Sequence, residues 1–552
     1  MYTIKNKISL ALVLFVVFVT SCQNLEEINI NYNGVDPAKA DPNLLISTVI
    51  TSSGLTAVGL GFGDLAGVMQ HTQKDGWSGG HNSYDWTSQD WGGNYGILRN
   101  AEELLNKSKK KDLKFHQGAA LVLKAYNFGL IADLWGDAPY SKALLGELGG
   151  ENLKPVFDSQ QAIYTGILAS LDTANILLSK NQSEYSNINT TQDLLYQGDV
   201  AKWRKFANSL ALRYYLRIST KDPATAKAGI EKITTHPDQY PLILDAADDA
   251  GFDFIGNSPG DSWPSTSAFD ISETNYRRLK MCSTLLEKLQ ALHDPRIAVW
   301  ANKIQIPLVI DPTKPDNYDE IVDGKRIISQ HIADVYTSNY NVPLNLDPEY
   351  VGFPPAWSII PQSYNLCPTL VQAPINPHAS HINDLYKKAA DPLLKARILS
   401  AAEVQFDLAE VALKGWSAGG TAKDHYNAGV KASMDAWNLS SSYTAYITSP
   451  GVVFAGTLAQ IMEQKWIASW TAASEAWFDW RRTGLPVLHA GVAVKRPALP
   501  LRFYYGQNEL LFNPDNAEAA INLLETTKFT TPDDKNSAWS KMWVLQGTNK
   551  PY

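Results

Sequence analysis

The residues whose types could support catalysis or metal binding do not form a recognised pattern. His378, His381 and Asp384 fall in the run HASHIND, and imidazole and carboxylate groups ligate metals, but their spacing differs from that of HExxH. Residues 256–260 read GNSPG and match GxSxG. A nucleophile elbow continues into a helix and uses the N–H of the residue after the serine, which Pro259 lacks. We interpret this run as a turn, and we predict no catalytic residue and no metal site.

Four carboxylates lie close together in the run DAADDAGFD, which contains Asp245, Asp248, Asp249 and Asp253. Carboxylate oxygens are the ligands that Ca²⁺ prefers, but this spacing is not that of an EF-hand loop. The run is typical of a solvated acidic loop. We therefore expect no cofactor, with a structural Ca²⁺ as the alternative.

The densest group of candidate binding residues is the segment 74–95, which reads KDGWSGGHNSYDWTSQDWGGNY. Aromatic rings offer flat apolar faces to sugar C–H groups or peptide side chains, and amides and carboxylates bind hydroxyl groups. No helical or strand period places all of these rings on one buried face. The alternative is that half of them fill the core. The predicted ligand-binding residues here are Trp77, Tyr84, Trp86, Trp91, Asp75 and Asn82.

A second candidate region is the irregular middle of the chain, where Trp263, Tyr340 and Trp357 are predicted to bind the ligand. Arg277 and Arg278 also lie there. A guanidinium group binds a carboxylate bidentately, which suits an acidic sugar or a peptide. Ordinary surface arginines are the alternative interpretation.

The overall composition excludes some partners. The chain has 552 residues, a net charge of −8 and three cysteines. The negative charge argues against nucleic acid as a partner. Cys282 and Cys367 could form at most one disulfide, and a chain of this size does not need one.

The N-terminus is typical of a bacterial export signal. Lys5 and Lys7 precede an apolar run that ends in Val-Thr-Ser-Cys at Cys22, and this ending resembles a lipobox. The run is shorter than the ~20 residues that a membrane span needs. We predict a signal peptide over residues 1–21, lipidation at Cys22, and a polar tether over residues 22–41.

Helical periodicity dominates the chain on both sides of its irregular middle. The predicted helices pair as long and short partners that resemble tetratricopeptide units, although the strict 34-residue consensus is absent. They span residues 43–51, 98–110, 112–134, 160–179 with Ser159 as N-cap, 201–220, 223–234, 275–292, 400–416, 423–437 and 457–480. We predict a mainly α fold over residues 42–552, with helical units at 42–239 and 400–490, a loop-rich binding region at 240–399 and a loop-rich tail at 491–552.

Short stretches spread over the mature chain carry a family resemblance through their order and spacing. They are VDP from Val35, LWGDAPYS from Leu134, KFANSL from Lys205 with Arg213, AEV from Ala402 with Ala409 and Glu410, QKW from Gln464, EAW from Glu475, WRRTG from Trp480, and RFYY from Arg502 with Glu509, Asn513 and Pro514. With these stretches behind Cys22, the sequence resembles the SusD/RagB family of outer-membrane nutrient-binding lipoproteins of Bacteroidetes, in its SusD-like branch.

The resemblance implies four tetratricopeptide-like units interrupted by a loop-rich ligand-binding region. It implies a non-catalytic protein, lipid-anchored on the cell surface at the outer membrane. Such a protein captures an oligosaccharide or oligopeptide and delivers it to a SusC-like TonB-dependent transporter. The acidic pair after Cys22, Glu26 and Glu27, resembles the surface-export signal of these lipoproteins. A surface glycoside hydrolase or peptidase and a helical-repeat scaffold for protein partners stay open as alternatives.

Replacing Cys22 by alanine should release the full-length protein from the membrane, because the acyl chains on that cysteine supply the anchor. The variant should move to the aqueous phase of a detergent partition, and its intact mass should lack acyl groups. Wild-type protein from the same host is the control. An acylated, membrane-bound Cys22→Ala protein would contradict the prediction.

Overall fold

The computed structural model describes residues 40–76, 79–87, 89–358, 360–371 and 373–552. The predicted signal peptide, the lipidation site Cys22, nearly all of the predicted tether, and Trp77 lie outside the described residues.

The described residues contain nineteen α-helices, and the fold is mainly α as predicted. The helices are α1 (Pro42–Gly61), α2 (Asp64–Val68), α3 (Gly79–Asn82), α4 (Gly92–Lys110), α5 (Lys114–Trp135), α6 (Gln160–Leu177), α7 (Val200–Ile218), α8 (Pro223–Thr234), α9 (Thr274–Arg277), α10 (Ser283–Ala291), α11 (Ile297–Trp300), α12 (Gln330–Tyr340), α13 (Ala401–Leu413), α14 (Ala422–Ala436), α15 (Tyr443–Ile447), α16 (Leu458–Ala468), α17 (Ala473–Thr483), α18 (Gln507–Phe512) and α19 (Pro514–Asn522).

Local capping chemistry sets many of the helix starts. The side chain of Asp41 accepts a hydrogen bond from the Asn43 N–H at the start of α1, at 2.8 Å. Ser159 caps α6 as predicted, by accepting from the Ala162 N–H at 3.2 Å. Each bond satisfies an N–H that has no partner inside its helix.

Consecutive helices pack side by side in tetratricopeptide-like pairs. α4 packs against α5, α5 against α6, α6 against α7, α7 against α8, and α13 against α14. The turn after α5 is made by Gly136, whose φ of 97° ends the helix. Asp137 then accepts a hydrogen bond from the Gln160 N–H, at 2.8 Å, and so joins this turn to α6.

One segment among the described residues, Pro42–Val68, is long and apolar enough to cross a membrane, with a mean hydropathy of 1.6. In the structure it forms α1 and α2, and α1 packs against α4, α5 and a strand of the loop region. Its inner face contributes Ile46, Val49 and Ile50 to the hydrophobic core, so α1 acts here as a core helix.

Seven short strands support the loop-rich region. They are β1 (Thr72–Lys74), β2 (Ala250–Asp253), β3 (Leu279–Met281), β4 (Leu308–Ile310), β5 (Asp319–Val322), β6 (Lys325–Ile328) and β7 (Lys395–Leu399). β1 pairs antiparallel with β3, and β2 pairs antiparallel with β7. β6 lies between β4, which is parallel to it, and β5, which is antiparallel.

Two of the helix predictions are wrong in detail, and one helix was not predicted. The helix expected at 275–292 is broken into α9, β3 and α10, because the backbone of β3 pairs with β1. The helix expected at 457–480 is two helices, α16 and α17, separated by Thr471 with a φ of 69°. The helix α12 lies in the region where helical periodicity was expected to be lost.

Buried ion pairs join helices from both halves of the chain. Arg213 on α7 contacts Glu403 on α13 at 2.6 Å and Glu475 on α17 at 3.4 Å. Arg217, one turn further along α7, contacts Glu475 at 2.5 Å and Asp133 on α5 at 3.4 Å. These side chains are almost completely buried, so each charge depends on its partners for the solvation that water would give it.

The same network extends through α16 and α17. Arg482 contacts Glu410 on α13 at 2.5 Å and Asp479 at 3.0 Å. Lys465 on α16 bridges Asp407 and Asp479. The stretches AE, QKW, EAW and WRRTG, which carried the family resemblance, therefore place charged groups at helix interfaces. These groups stabilise the packing of the helices.

Replacing Arg482 by methionine should lower the free energy of unfolding by ~3–5 kcal/mol, because Glu410 and Asp479 stay buried without this partner. Urea denaturation of the two proteins measures the difference. Lys232→Met is the matched control, since Lys232 pairs with Asp172 at 2.8 Å on the surface and such pairs contribute ~0.2–1 kcal/mol. Equal losses in the two variants would show that the buried Arg482 ion pairs stabilise the fold no more than a surface ion pair does.

Candidate functional site

The aromatic residues of segment 74–95 that the structure describes are mostly core residues. Tyr84, Trp86 and Trp91 are 0 %, 4 % and 5 % exposed. The Trp86 ring meets Trp477 and Phe503 edge to face, at centroid distances of 5.7 and 5.1 Å. The Trp91 ring packs on Trp135 of α5 and on Tyr505 of the C-terminal tail. The expectation that this segment presents these three rings as open faces is therefore wrong, because all three are buried in the core.

The polar groups predicted in the same segment hold it in place. Asn82 accepts a hydrogen bond from the Lys74 N–H at 2.9 Å and donates to the Lys74 carbonyl at 2.5 Å. Asp75 is 1 % exposed and forms an ion pair with fully buried Lys280 on β3. Lys280 also donates to the Arg277 carbonyl. Asp75 and Asn82 are therefore buried supports in this structure, with no side-chain face open to a ligand.

The rings predicted in the irregular middle are also largely buried. Trp263 is 1 % exposed and packs edge to face on Phe62 at 5.0 Å. Trp357 is 4 % exposed and lies 5.0 Å from the ring of Tyr340. Trp263 and Trp357 are thus core residues. Among the predicted aromatic residues that the structure describes, Tyr340 is the only one that is partly exposed.

The loops instead enclose a polar cleft with a volume of about 320 Å³. Three separate parts of the loop-rich region contribute to it: α9 with the residue before it, the segment after α11, and the segment before β7. We call this site the loop cleft; its lining residues are Glu273, Tyr276, Arg277, Asn302, Lys303, Gln305, Ile375, Ala379, His381, Asp384 and Lys387.

A hydrogen-bonded centre fixes the wall of the loop cleft. The Tyr276 hydroxyl lies 2.8 Å from an Asp384 carboxylate oxygen, and Asn302 donates to the same carboxylate at 2.9 Å. The ring of His381 is stacked with that of Tyr276, with 23° between the ring planes and a centroid distance of 6.2 Å. The Lys387 ammonium group lies 4.7 Å from the Tyr276 ring centroid, which is a cation–π distance.

His381 is the cleft residue with an unmet bonding group. It is 8 % exposed, and its Nε2 atom has no hydrogen-bond partner in the structure. Burial lowers the pKa of His381 well below its ordinary value, and Lys280, Lys387 and Arg277 lower it further. The imidazole is therefore neutral at pH 7, and its Nε2 atom is buried without a partner in this structure.

His378, which was considered for metal binding, is hydrogen-bonded to protein groups instead. The two ring nitrogens of His378 lie 2.7 Å from the Ile306 carbonyl and 3.1 Å from Arg326. No group of three or more His, Cys, Asp or Glu side chains suited to a metal occurs within the part of the chain that the structure describes.

The acidic run and the GNSPG run are also accounted for. Asp248 contacts Lys205 at 2.6 Å, Asp249 accepts from the Ala401 N–H at 2.7 Å, and Asp253 contacts Lys395 at 2.7 Å. Asp245 caps the short turn that follows it. Residues Pro259–Asp261 form a single 3-10 turn, which confirms the interpretation of GNSPG as a turn. Cys282 and Cys367 are free and buried.

Sequence reasoning found only part of the loop cleft. Arg277 was considered there for binding a carboxylate, and His381 and Asp384 were considered as metal ligands. Asn302, Lys303, Gln305 and Lys387 were missed, because single polar residues in irregular segments carry no pattern that marks them as neighbours in space.

The fold defines a class: a helical-repeat protein with a polar cleft on its inserted loops. The family model described as "Starch-binding associating with outer membrane" matches residues 42–337 and 365–506. The chain belongs to this SusD-like family, which places it among outer-membrane-associated nutrient-binding proteins.

Solved structures show the same fold at low sequence identity. A SusD homologue from Bacteroides fragilis is 20 % identical with a TM-score of 0.68, over 92 % of this chain and 100 % of that one. A chitin-binding SusD homologue from Flavobacterium johnsoniae is 22 % identical with a TM-score of 0.65, over 92 % and 100 %. A SusD-like protein from Bacteroides thetaiotaomicron is 20 % identical with a TM-score of 0.66, over 93 % and 100 %. No protein of curated function matches the chain.

Trp86→Ala should lower the free energy of unfolding by ~3–5 kcal/mol, because the change leaves a cavity against Trp477 and Phe503. Urea denaturation followed by far-UV circular dichroism measures the loss. Tyr340→Ala, at a partly exposed ring, should cost less. A Trp86→Ala protein as stable as wild type would contradict the core placement of this ring.

Proposed function

We propose that this protein is a surface-exposed lipoprotein that captures an oligosaccharide in the loop cleft and delivers it to a SusC-like TonB-dependent transporter. The observation that carries the proposal is the loop cleft itself, in a chain of the SusD-like family. Amide, ammonium, guanidinium and imidazole groups converge there around a buried tyrosine. An oligopeptide is the alternative ligand.

The polar lining favours a ligand rich in hydroxyl groups. A sugar offers both donors and acceptors, and the loop cleft presents donors at Lys303 and Arg277 and both kinds of group at Gln305. Each hydrogen bond contributes only ~0.5–1.5 kcal/mol in water, so affinity for such a ligand is shared among several residues. The chitin-binding relative from Flavobacterium johnsoniae supports a glycan as the ligand class.

The proposal is of binding without catalysis. A glycosidase needs one carboxylic acid with a raised pKa beside a second carboxylate. In the loop cleft, burial acts to raise the pKa of Asp384, but hydrogen bonds from Asn302 and Tyr276 hold it below its ordinary value. The other carboxylate, Glu273, lies 3.4 Å from Arg277 and 3.9 Å from Lys387. This pairing suits structure and recognition better than proton transfer.

Gentle purification of a tagged copy from its own outer membrane tests the proposed role. Mass spectrometry of the eluate should detect a large barrel transporter and oligosaccharides that are released unchanged. A peptide mixture in their place would move the ligand to the alternative class. Folded, lipidated protein that elutes with neither transporter nor ligand would refute the proposal, and turnover of the bound glycan would favour a hydrolase.

Gln305→Ala should weaken binding of the recovered glycan by ~2–10-fold, which corresponds to the loss of one hydrogen bond. Gln305 is exposed at the cleft, so the variant should keep wild-type stability. Calorimetric titration measures the affinity. Gln161→Ala, at an exposed glutamine on α6, is the matched control and should bind like wild type. Equal affinities of wild type and both variants would show that Gln305 does not contact the glycan.

A further inference from the structure

A cluster of lysines marks one end of the helical body. Residues 107–114 read KSKKKDLK and contain five lysines and one aspartate, although the whole chain has a net charge of −8. They cover the last turn of α4, the turn that follows it, and the first residue of α5. We call the exposed lysines of this run the basic patch; they are Lys109, Lys110, Lys111 and Lys114.

The turn that carries the basic patch is hydrogen-bonded to both helices. Leu113 is buried, and its N–H donates to the Ser108 carbonyl of α4 at 2.9 Å. The Gln117 side chain of α5 donates to the same carbonyl at 3.1 Å. The lysines therefore stand on a fixed part of the backbone, and their spacing does not depend on a free loop.

Most of the basic patch has no carboxylate partner. Lys114 contacts Asp112 at 2.6 Å, but Lys109, Lys110 and Lys111 form no ion pair with any residue that the structure describes. The dipole of α4 favours cations in its last turn. It does not explain Lys114, which is the first residue of α5, where a helix dipole disfavours a cation. Helix electrostatics thus account for only part of the patch.

The basic patch adjoins the point where the predicted tether meets the fold. Asp41 caps α1, and the side chain of Asn43 lies 2.9 Å from Nε2 of His116 on α5. The hydrogen bond from the Asn43 N–H lowers the pKa of Asp41, and the positive charge of Lys111 lowers it further. The start of α1 and the patch are therefore neighbours at the same end of the helical body.

A lipid at Cys22 would hold this end near the membrane without fixing its orientation. Eighteen residues separate Cys22 from residue 40, and a chain of that length spans at most ~60 Å. Within that reach the body is free to turn. A lysine close to an anionic membrane surface raises the affinity about fivefold, so several lysines together favour one orientation.

The helix α1 separates the basic patch from the loop cleft. It has 20 residues and is therefore ~30 Å long. Phe62, which follows its last residue, stacks on Tyr386 at a centroid distance of 5.8 Å. Tyr386 lies between Asp384 and Lys387, which line the loop cleft. The patch and the cleft thus lie at opposite ends of α1, and a membrane contact at the patch leaves the cleft clear of the headgroups.

We propose that the basic patch binds the phosphate groups of the membrane in which Cys22 is anchored, and so sets the orientation of the helical body on that membrane. The inference uses the lipid anchor of the proposed function and goes beyond glycan capture. Phosphate oxygens are anionic acceptors, and each lysine ammonium group supplies three donors.

Co-flotation with lipid vesicles tests the inference on the mature chain from residue 23 onwards, which carries no acyl groups and includes every residue that the structure describes. The vesicles contain phosphatidylcholine alone or phosphatidylcholine with phosphatidylglycerol. The protein should float with the anionic vesicles and not with the neutral ones, and added NaCl should release it. Circular dichroism verifies that each protein is folded.

The triple variant Lys109→Gln/Lys110→Gln/Lys111→Gln should bind the anionic vesicles at least ~10-fold more weakly, because three charges of the patch are lost. The matched control replaces three scattered exposed lysines by glutamine and so removes the same net charge. These lysines are Lys142, Lys325 and Lys423. The control variant should bind the vesicles like wild type.

Three outcomes would overturn the inference. The first is a mature chain that binds neutral and anionic vesicles equally or binds neither. The second is an equal loss of binding in the control variant, which would reduce the effect to net charge. The third is binding that appears only after residues 23–39 are removed, which would show that the tether itself covers the lysines. Glycan affinity of the same proteins, measured by calorimetry, and the Cys22→Ala experiment test glycan capture and the anchor separately.

Discussion

The buried ion pairs between helices are the interaction on which the rest of the structure depends. Five cations on α7, α16 and α17 meet carboxylates on α5, α13 and α17, and most of these groups are out of contact with water. Such a network costs more in desolvation than a hydrophobic contact, so it is favourable only when every partner is in place. The network therefore fixes the positions of the N-terminal and C-terminal helices relative to each other. The loop-rich region lies between these helices in the chain, so it is attached to a rigid helical body.

A second buried ion pair, between Lys280 and Asp75, positions the loops on this helical body. Lys280 lies under the loop region, where it pairs with Asp75 and donates to the Arg277 carbonyl. Desolvation lowers the pKa of Lys280, and Asp75 opposes this effect. Because one side chain holds both the start of segment 74–95 and the end of α9, the loop cleft is fixed relative to β1 and β3. The cleft-lining residues, which lie on irregular segments, are thus held in place by the helical body.

The sequence predicted what is encoded locally. α8 occupies residues 223–234, as predicted, and Ser159 caps α6 as expected. Burial of Trp86 could not be predicted in this way, because its partners Trp477 and Phe503 are several hundred residues further along the chain. The loop cleft could not be predicted for the same reason. It combines three segments that are distant in the sequence, and none of them has a periodicity or motif that indicates the others.

The two buried thiols have a practical consequence. Cys282 and Cys367 are unpaired, and burial raises the pKa of Cys282 to about 12 and raises that of Cys367 as well. Neither side chain forms a reactive thiolate at neutral pH, so neither competes for maleimide reagents. In a soluble form that begins after Cys22, a single cysteine introduced beside the loop cleft would carry a fluorophore alone, without prior removal of the native thiols. Ligand occupancy could then be followed optically on a chain that is otherwise unchanged.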